Sequence, residues 1–186
     1  MTNQEEESNV RAAYTDSTII VYHRCNDEIA NAVIQSQTLN TSIVGDSFLH
    51  FWITPSFRLA FSQYRSPWAQ QANRQRVLAL HITRAGWEQA LEWHESRTSG
   101  TTPYVRLTSA EELAIEGESD VTYRTFNLSL SPRAVDNGLS QWIVKIGEVT
   151  DLMKEIGDLV DAGKVDNALA LLPSERRYKF CEGEVR

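Results

Sequence analysis

Short runs of β-branched and aromatic residues, separated by turn-forming residues, constrain the fold of this chain more than any other feature. Such runs are typical of β-strands. They occur at residues 18–24 (TIIVYHR), 48–54 (FLHFWIT), 76–83 (RVLALHIT), 121–130 and 141–146. Because these strands are short and irregularly spaced, they favour mixed or antiparallel sheets in the α+β class over a doubly wound parallel sheet.

Helical patterns fill the segments between the predicted strands and follow the last one. Asn26 or Asp27 can cap a helix after the first strand, and apolar residues recur at helical spacing over 57–64 and 86–95. From residue 150 the pattern becomes helical throughout and predicts a hairpin of two helices. The predicted buried positions of that hairpin are Leu152, Ile156, Leu159, Leu169 and Leu172.

The same patterns divide the chain into three parts. Residues 1–17 are polar and acidic, with Glu5, Glu6 and Glu7 in a block, and predict a disordered tail. Residues 18–150 form the predicted main domain. Residues 151–186 form a C-terminal helical extension that we expect to pack on that domain, since 186 residues suit a single core.

Composition disfavours several functional classes. A formal net charge of −7 repels phosphate backbones and makes nucleic acid an unfavourable partner. The chain shows neither a signal-peptide pattern nor an apolar run of about 18 residues, so we expect a cytoplasmic protein without a membrane span, with delivery by a dedicated secretion system left open. Cys25 and Cys181 lack metal-ligand spacing and the histidines are scattered, so we expect neither a disulfide nor a metal site.

Two segments carry the features from which a function can be inferred. One is VYHR at 21–24, followed by a helical pattern, and the other is FWITPSFRLAFSQY at 51–64, followed by the strand RVLALHIT. This order of strand, helix, aromatic strand, helix and apolar strand resembles the ADP-ribosyltransferase-like superfamily, many of whose members open with a strand ending in Tyr-His-Arg/Lys-Thr. The resemblance covers residues 18–83.

The resemblance implies a split antiparallel β-sandwich with a cleft for NAD, which such enzymes use as a substrate. His23 would hold a ribose hydroxyl and Arg24 a pyrophosphate. Strand alternation would turn only one of these two side chains into the cleft. The nicotinamide ring would stack on Trp52 or Tyr64.

Other polar residues are assigned by the same resemblance. Thr54 and Ser56 would form hydrogen bonds with the ligand. A late-strand Glu, or a Gln-x-Glu pair, would stabilise the positive charge that develops as nicotinamide leaves. By position that residue is Gln141, which carries no charge, and the carboxylate alternatives are Glu118, in the Glu-Gly-Glu stretch that begins at Glu116, and Glu148 at the end of the last strand.

Two functional hypotheses follow. The first is an NAD-using ADP-ribosyltransferase-like toxin or effector with a protein target. The second is a non-catalytic interaction module on the same or a related fold, suggested by Gln141 and by five tryptophans. The alternative for Trp52 and His23 under either hypothesis is that they are ordinary core residues, and the basic and aromatic segment 176–180 would either dock an acidic partner or be solvated. The oligomeric state stays open.

Overall fold

The computed structural model of the protein describes residues 9–45, 51–67, 69, 73, 75–96, 105–110 and 125–179. Its strands are β1 (Asn9–Ala12), β2 (Thr18–Cys25), β3 (Phe51–Ile53), β4 (Arg76–Thr83), β5 (Val105–Ala110), β6 (Thr125–Leu130), β7 (Ile143–Glu148) and β8 (Arg176–Lys179). Its α-helices are α1 (Asp27–Ser36), α2 (Thr41–Val44), α3 (Phe57–Arg65), α4 (Arg84–Ser96), α5 (Pro132–Ala134), α6 (Ser140–Trp142), α7 (Thr150–Asp161) and α8 (Val165–Ala170), and a π-helix covers Val135–Leu139.

The described strands form three small sheets. Their orders are β2-β4-β7, β3-β6-β5 and β1-β8, and every described ladder is antiparallel. The prediction of an antiparallel α+β fold with short helices and a C-terminal helical hairpin is therefore confirmed.

The sheet β2-β4-β7 separates two hydrophobic cores, because successive side chains of a strand point to opposite faces. Ile19 and Val21 of β2 face the first core, where α1, α4 and the inner face of β3-β6-β5 also pack. Tyr22 faces the second core, together with Phe61 of α3 and Ile156 of α7. Both faces of the sheet are thus covered, which explains why apolar residues of β2 and β4 are not confined to alternate positions.

The strand predictions are accurate where the sequence pattern is local. The predicted bounds of β4 are confirmed, and β2 extends one residue further, to Cys25. Residues 48–50 and 121–124 of two other predicted strands lie outside the described residues. The last strand begins two residues later than predicted, because residues 140–142 are helical.

The Asp-Asn-Gly sequence at residues 136–138 predicts a tight turn between the last two strands. That prediction is wrong, since these residues lie in the π-helix. The carboxylate of Asp136 accepts hydrogen bonds from the backbone N and the Oγ1 of Thr41, at 2.9 and 2.7 Å, so it binds a distant segment instead of capping a local turn. A Cβ at Gly138 would lie 2.7 Å from the rings of Trp93 and Trp142. The glycine therefore serves close packing against two indoles.

The C-terminal hairpin forms as predicted, but its buried residues differ from the prediction. Ile156 is fully buried as expected, and so are Met153 and Ala168. The prediction is wrong for Leu152, Leu159, Leu169 and Leu172, which are only partly buried. The hairpin covers the sheet from one side, so solvent reaches the flanks of its apolar stripe. Gly163 ends α7 with a left-handed φ of 69°.

Part of the predicted 1–17 tail has regular structure. Strand β1 lies inside the predicted 1–17 tail and pairs with β8, with Val10 opposite Tyr178. Its partner is distant in sequence, so no local pattern reveals the pairing. The Tyr178 ring is buried, and it meets the ring of Tyr14 edge-on at 5.0 Å, with the Arg84 guanidinium 5.3 Å from the Tyr178 ring. Part of the predicted basic and aromatic segment thus belongs to the core.

Candidate functional site

The two three-stranded sheets meet at one point between β2 and β3. Tyr22 N donates to Thr54 O at 2.7 Å and Thr54 N donates to Tyr22 O at 3.1 Å, forming an isolated antiparallel bridge. Beyond the bridge, residues 23–25 belong to one sheet and residues 51–53 to the other. The strand order therefore runs β5-β6-β3, then the bridge, then β2-β4-β7, with a split beside the bridge.

His23 spans the split on the side of the first core. The imidazole is buried, and its Nδ1 lies 2.8 Å from the carbonyl O of Trp52. Because a carbonyl only accepts, Nδ1 is the protonated nitrogen of this ring. The ring also stacks on Phe51 at 3.7 Å between centroids and 17° between planes. These contacts hold β2 and β3 at a fixed separation where their ladder ends.

Arg24 lies on the opposite face of β2 from His23, as strand alternation predicts. Its Nη1 donates to the backbone carbonyl of Gln63 in α3 at 2.7 Å. Gln63 in turn donates from Nε2 to Oδ1 of Asn127 in β6 at 3.2 Å. The last turn of α3 therefore connects the two sheets across the split.

Trp52 lies on the same side of the split as Arg24, away from the first core. Its neighbours Phe51 and Ile53 point into the first core, so its indole points away from it and is 37% exposed. In the β3–β6 ladder Trp52 lies opposite Ser129, which places both side chains on the same face. Asn127 is two residues from Ser129 and shares that face. We call the region formed by Arg24, Trp52, Gln63, Asn127 and the buried Ser129 the split groove.

Thr54 and Ser56 lie where the sequence predicts them, beside the bridge, and both are buried. The Oγ1 of Thr54 accepts from Ser56 N at 3.4 Å, and the Oγ of Ser56 caps α3 by accepting from Leu59 N at 3.2 Å. The hydroxyl oxygens thus accept hydrogen bonds from the backbone at the start of α3. Tyr64 lies near the other end of that helix, roughly 12 Å along it from Ser56, and packs against the second core.

The predicted carboxylate positions do not converge on the split groove. Gln141 is exposed in α6, next to the end of β7 where Ile143 pairs with Ile82. Glu148 lies at the other end of β7, beside Leu78, whose partner on β2 is His23. Glu118 lies outside the described residues, as does Glu116.

Glu148 belongs to an ion-pair network, which we call the Arg76 clasp. Arg76 Nη2 donates to Glu148 Oε2 at 2.7 Å, and Arg76 Nε donates to Oε1. The same guanidinium contacts Asp27 at 3.1 Å, and Thr150 donates to Glu148 at 2.7 Å. The hydrogen bonds from Arg76 hold the pKa of Glu148 below its ordinary value. This carboxylate is therefore ionised and joins β4, β7 and α1 through its guanidinium partner.

The sequence pattern does not indicate the contact that Glu175 makes with α3. Its carboxylate accepts from the backbone N of Phe57 in the first turn of α3, where a negative charge is favourable. Burial raises the pKa of the Tyr22 phenol, and the nearby charge of Glu175 raises it further. The segment after Pro173 has no regular pattern, so nothing local indicates that it returns to α3.

The fold and the site define an α+β protein whose described strands form three antiparallel sheets, with a polar groove where the two three-stranded sheets meet. The chain belongs to the DUF4291 family, described as a domain of unknown function, whose model matches residues 9–178. No curated protein and no solved structure matches the chain. None of the helices within the described ranges is long and apolar enough to cross a membrane.

Proposed function

We propose that this protein is an NAD-using, ADP-ribosyltransferase-like protein that acts on a protein target, as a toxin or effector would. The observation that carries the proposal is the split itself. On the face away from the first core it brings together Arg24, which the family resemblance assigns to the pyrophosphate, and Trp52, which with Tyr64 as the alternative it assigns to nicotinamide. His23, by contrast, lies buried on the opposite face.

The chemistry of the groove suits an extended dinucleotide. The exposed face of the Trp52 indole offers a stacking surface for a planar ring. Arg24 supplies a forked cation for the pyrophosphate, and the neighbouring amide and hydroxyl groups of Asn127 and Ser129 suit ribose hydroxyls. A ligand that follows the groove would therefore contact residues of β2, β3 and β6 together.

The reaction assigned to this site would break the bond between ribose C1′ and the nicotinamide nitrogen. The electron pair of that bond leaves with nicotinamide, and the ribose passes through an oxocarbenium-like state. A nucleophile of the target protein, or water, then forms a bond to C1′ and loses a proton. The surroundings must stabilise the transient positive charge.

The test is a calorimetric titration with NAD, combined with an assay for nicotinamide release. We expect Arg24→Gln to weaken binding about tenfold or more, because a charge-assisted contact is lost. The matched control is Arg65→Gln, since Arg65 lies in α3 and pairs with Asp161 on the hairpin. Absence of NAD binding at millimolar concentration in the folded protein would refute the proposal.

The exposure of Trp52 also favours a second candidate function, a non-catalytic interaction module. An exposed indole beside a polar rim is typical of an anchor at a protein interface. If this candidate is correct, the folded protein does not bind NAD, and the Trp52→Ala variant no longer binds a specific partner. Nicotinamide release by the purified protein would exclude it.

A further inference from the structure

We infer that the floor of the split groove is the Asn127–Ser129 pair of β6, and that this uncharged floor does not itself select between the positively charged, oxidised nicotinamide ring and the neutral, reduced ring. The inference rests on the proposed function and specifies which form of the ligand the site accepts. It assigns the floor to β6 and not to Gln141, the late-strand residue that the sequence suggests by position.

Strand β6 has the geometry that a floor of this kind requires. A late-strand pair that faces a cleft must occupy alternate positions of a strand, and Asn127 and Ser129 do so on the face that carries Trp52. Gln141 lies in a helical turn, at the end of β7 remote from the residues that pair with His23. Position in the fold therefore favours β6 over residue 141.

Ser129 is one of the two residues of the proposed floor. Its side chain is fully buried, and its Oγ has no hydrogen-bond partner among the residues that the structure describes. A buried hydroxyl without a partner is unfavourable for folding, so such groups in native proteins call for an explanation. A ligand hydroxyl or carboxamide in the groove would supply the hydrogen bond.

Asn127 is the other residue of the proposed floor. Its Oδ1 accepts from Gln63, which leaves the Nδ2 group as a donor towards a ligand. Neither this amide nor the Ser129 hydroxyl bears a charge. The pyridinium of NAD⁺ is positive and the reduced ring of NADH is neutral, so this floor offers no electrostatic preference between them.

The experiment compares the Kd of NAD⁺ and NADH by calorimetry in wild type and variants. Asn127→Asp keeps the acceptor for Gln63 and adds a negative charge, so we expect the Kd ratio to shift about tenfold in favour of NAD⁺. Asn127→Lys should shift it the other way and serves if the aspartate variant does not fold. The matched control is Asn137→Asp, an exposed asparagine in the π-helix.

Each outcome decides a different question. If both ligands bind and the ratio follows the charge at 127 alone, the inference is supported. If both ligands bind and the Kd ratio does not change with residue 127, or changes instead in Gln141→Glu, the floor is assigned wrongly while the proposed function stands. If neither ligand binds the wild type, the proposed function fails and the inference fails with it.

Discussion

The Arg76 clasp and the split groove are both polar, and both lie where β2 and its neighbours end, yet their groups are arranged for different purposes. In the clasp Arg76 meets Glu148 and Asp27, so charge is balanced within the protein. The groove sets an exposed indole beside a fully buried hydroxyl and a neutral amide. The comparison indicates that the clasp satisfies its own charges, whereas the groove holds a hydroxyl whose hydrogen-bonding capacity the described residues do not satisfy.

The largest expected effect concerns the second core, which supports α3 and hence one wall of the groove. Ile156→Ala removes a fully buried side chain and should lower the free energy of unfolding by about 2–5 kcal/mol. Leu159→Ala, on the same helix but only partly buried, should cost clearly less. Urea denaturation measures both, and equal losses would contradict the burial pattern of the hairpin.

The clasp should act on stability in a pH-dependent way. Glu148→Gln should cost about 1 kcal/mol at neutral pH, because the partly exposed pair is screened by solvent. The pKa of Glu148 is lower in the folded protein than its ordinary value of 4.5, so the advantage of the wild type is complete above that value and disappears as the pH falls through the folded pKa.

Thermal unfolding of wild type and Glu148→Gln from about pH 7 down to about pH 3 measures this dependence. Glu155→Gln, at an exposed position of α7, is the control for removing a carboxylate outside the clasp. A difference between Glu148→Gln and wild type that persists unchanged at low pH would show that the ion pair does not cause it.

The smallest expected effect on stability separates the groove from the rest of the core. Ser129→Ala should change the free energy of unfolding by less than about 0.5 kcal/mol, because the hydroxyl it removes forms no hydrogen bond with the described residues. Ser56→Ala is the matched control. That serine is equally buried but caps α3, so its loss should cost about 1 kcal/mol.

The same serine variants sharpen the comparison when binding is measured. If the groove binds NAD, Ser129→Ala should weaken the affinity about threefold to tenfold, the contribution of one hydrogen bond. A loss of stability comparable to that of Ser56→Ala, with unchanged affinity, would assign Ser129 to the core and not to the groove.

Much of the local structure follows from the sequence. The continuous apolar pattern of RVLALHIT predicts β4 to the residue, and Gly163 ends α7 in the left-handed conformation that favours glycine. Strand alternation predicts that His23 and Arg24 face opposite ways, as they do. These features depend on neighbours within a few residues, and for that reason a single sequence reveals them.

The arrangement of the candidate site depends on the tertiary structure. The pairing of β3 with β6 brings Ser129 opposite Trp52, and α3 brings Gln63 to Asn127; both contacts join segments that are distant in sequence. The sequence alone suggested Gln141 for this position, with Glu118 and Glu148 as alternatives, because it shows the order of strands but not which of them become neighbours. Register between distant strands is fixed by packing of the shared core, and it is this packing that brings Asn127 and Ser129 to the groove.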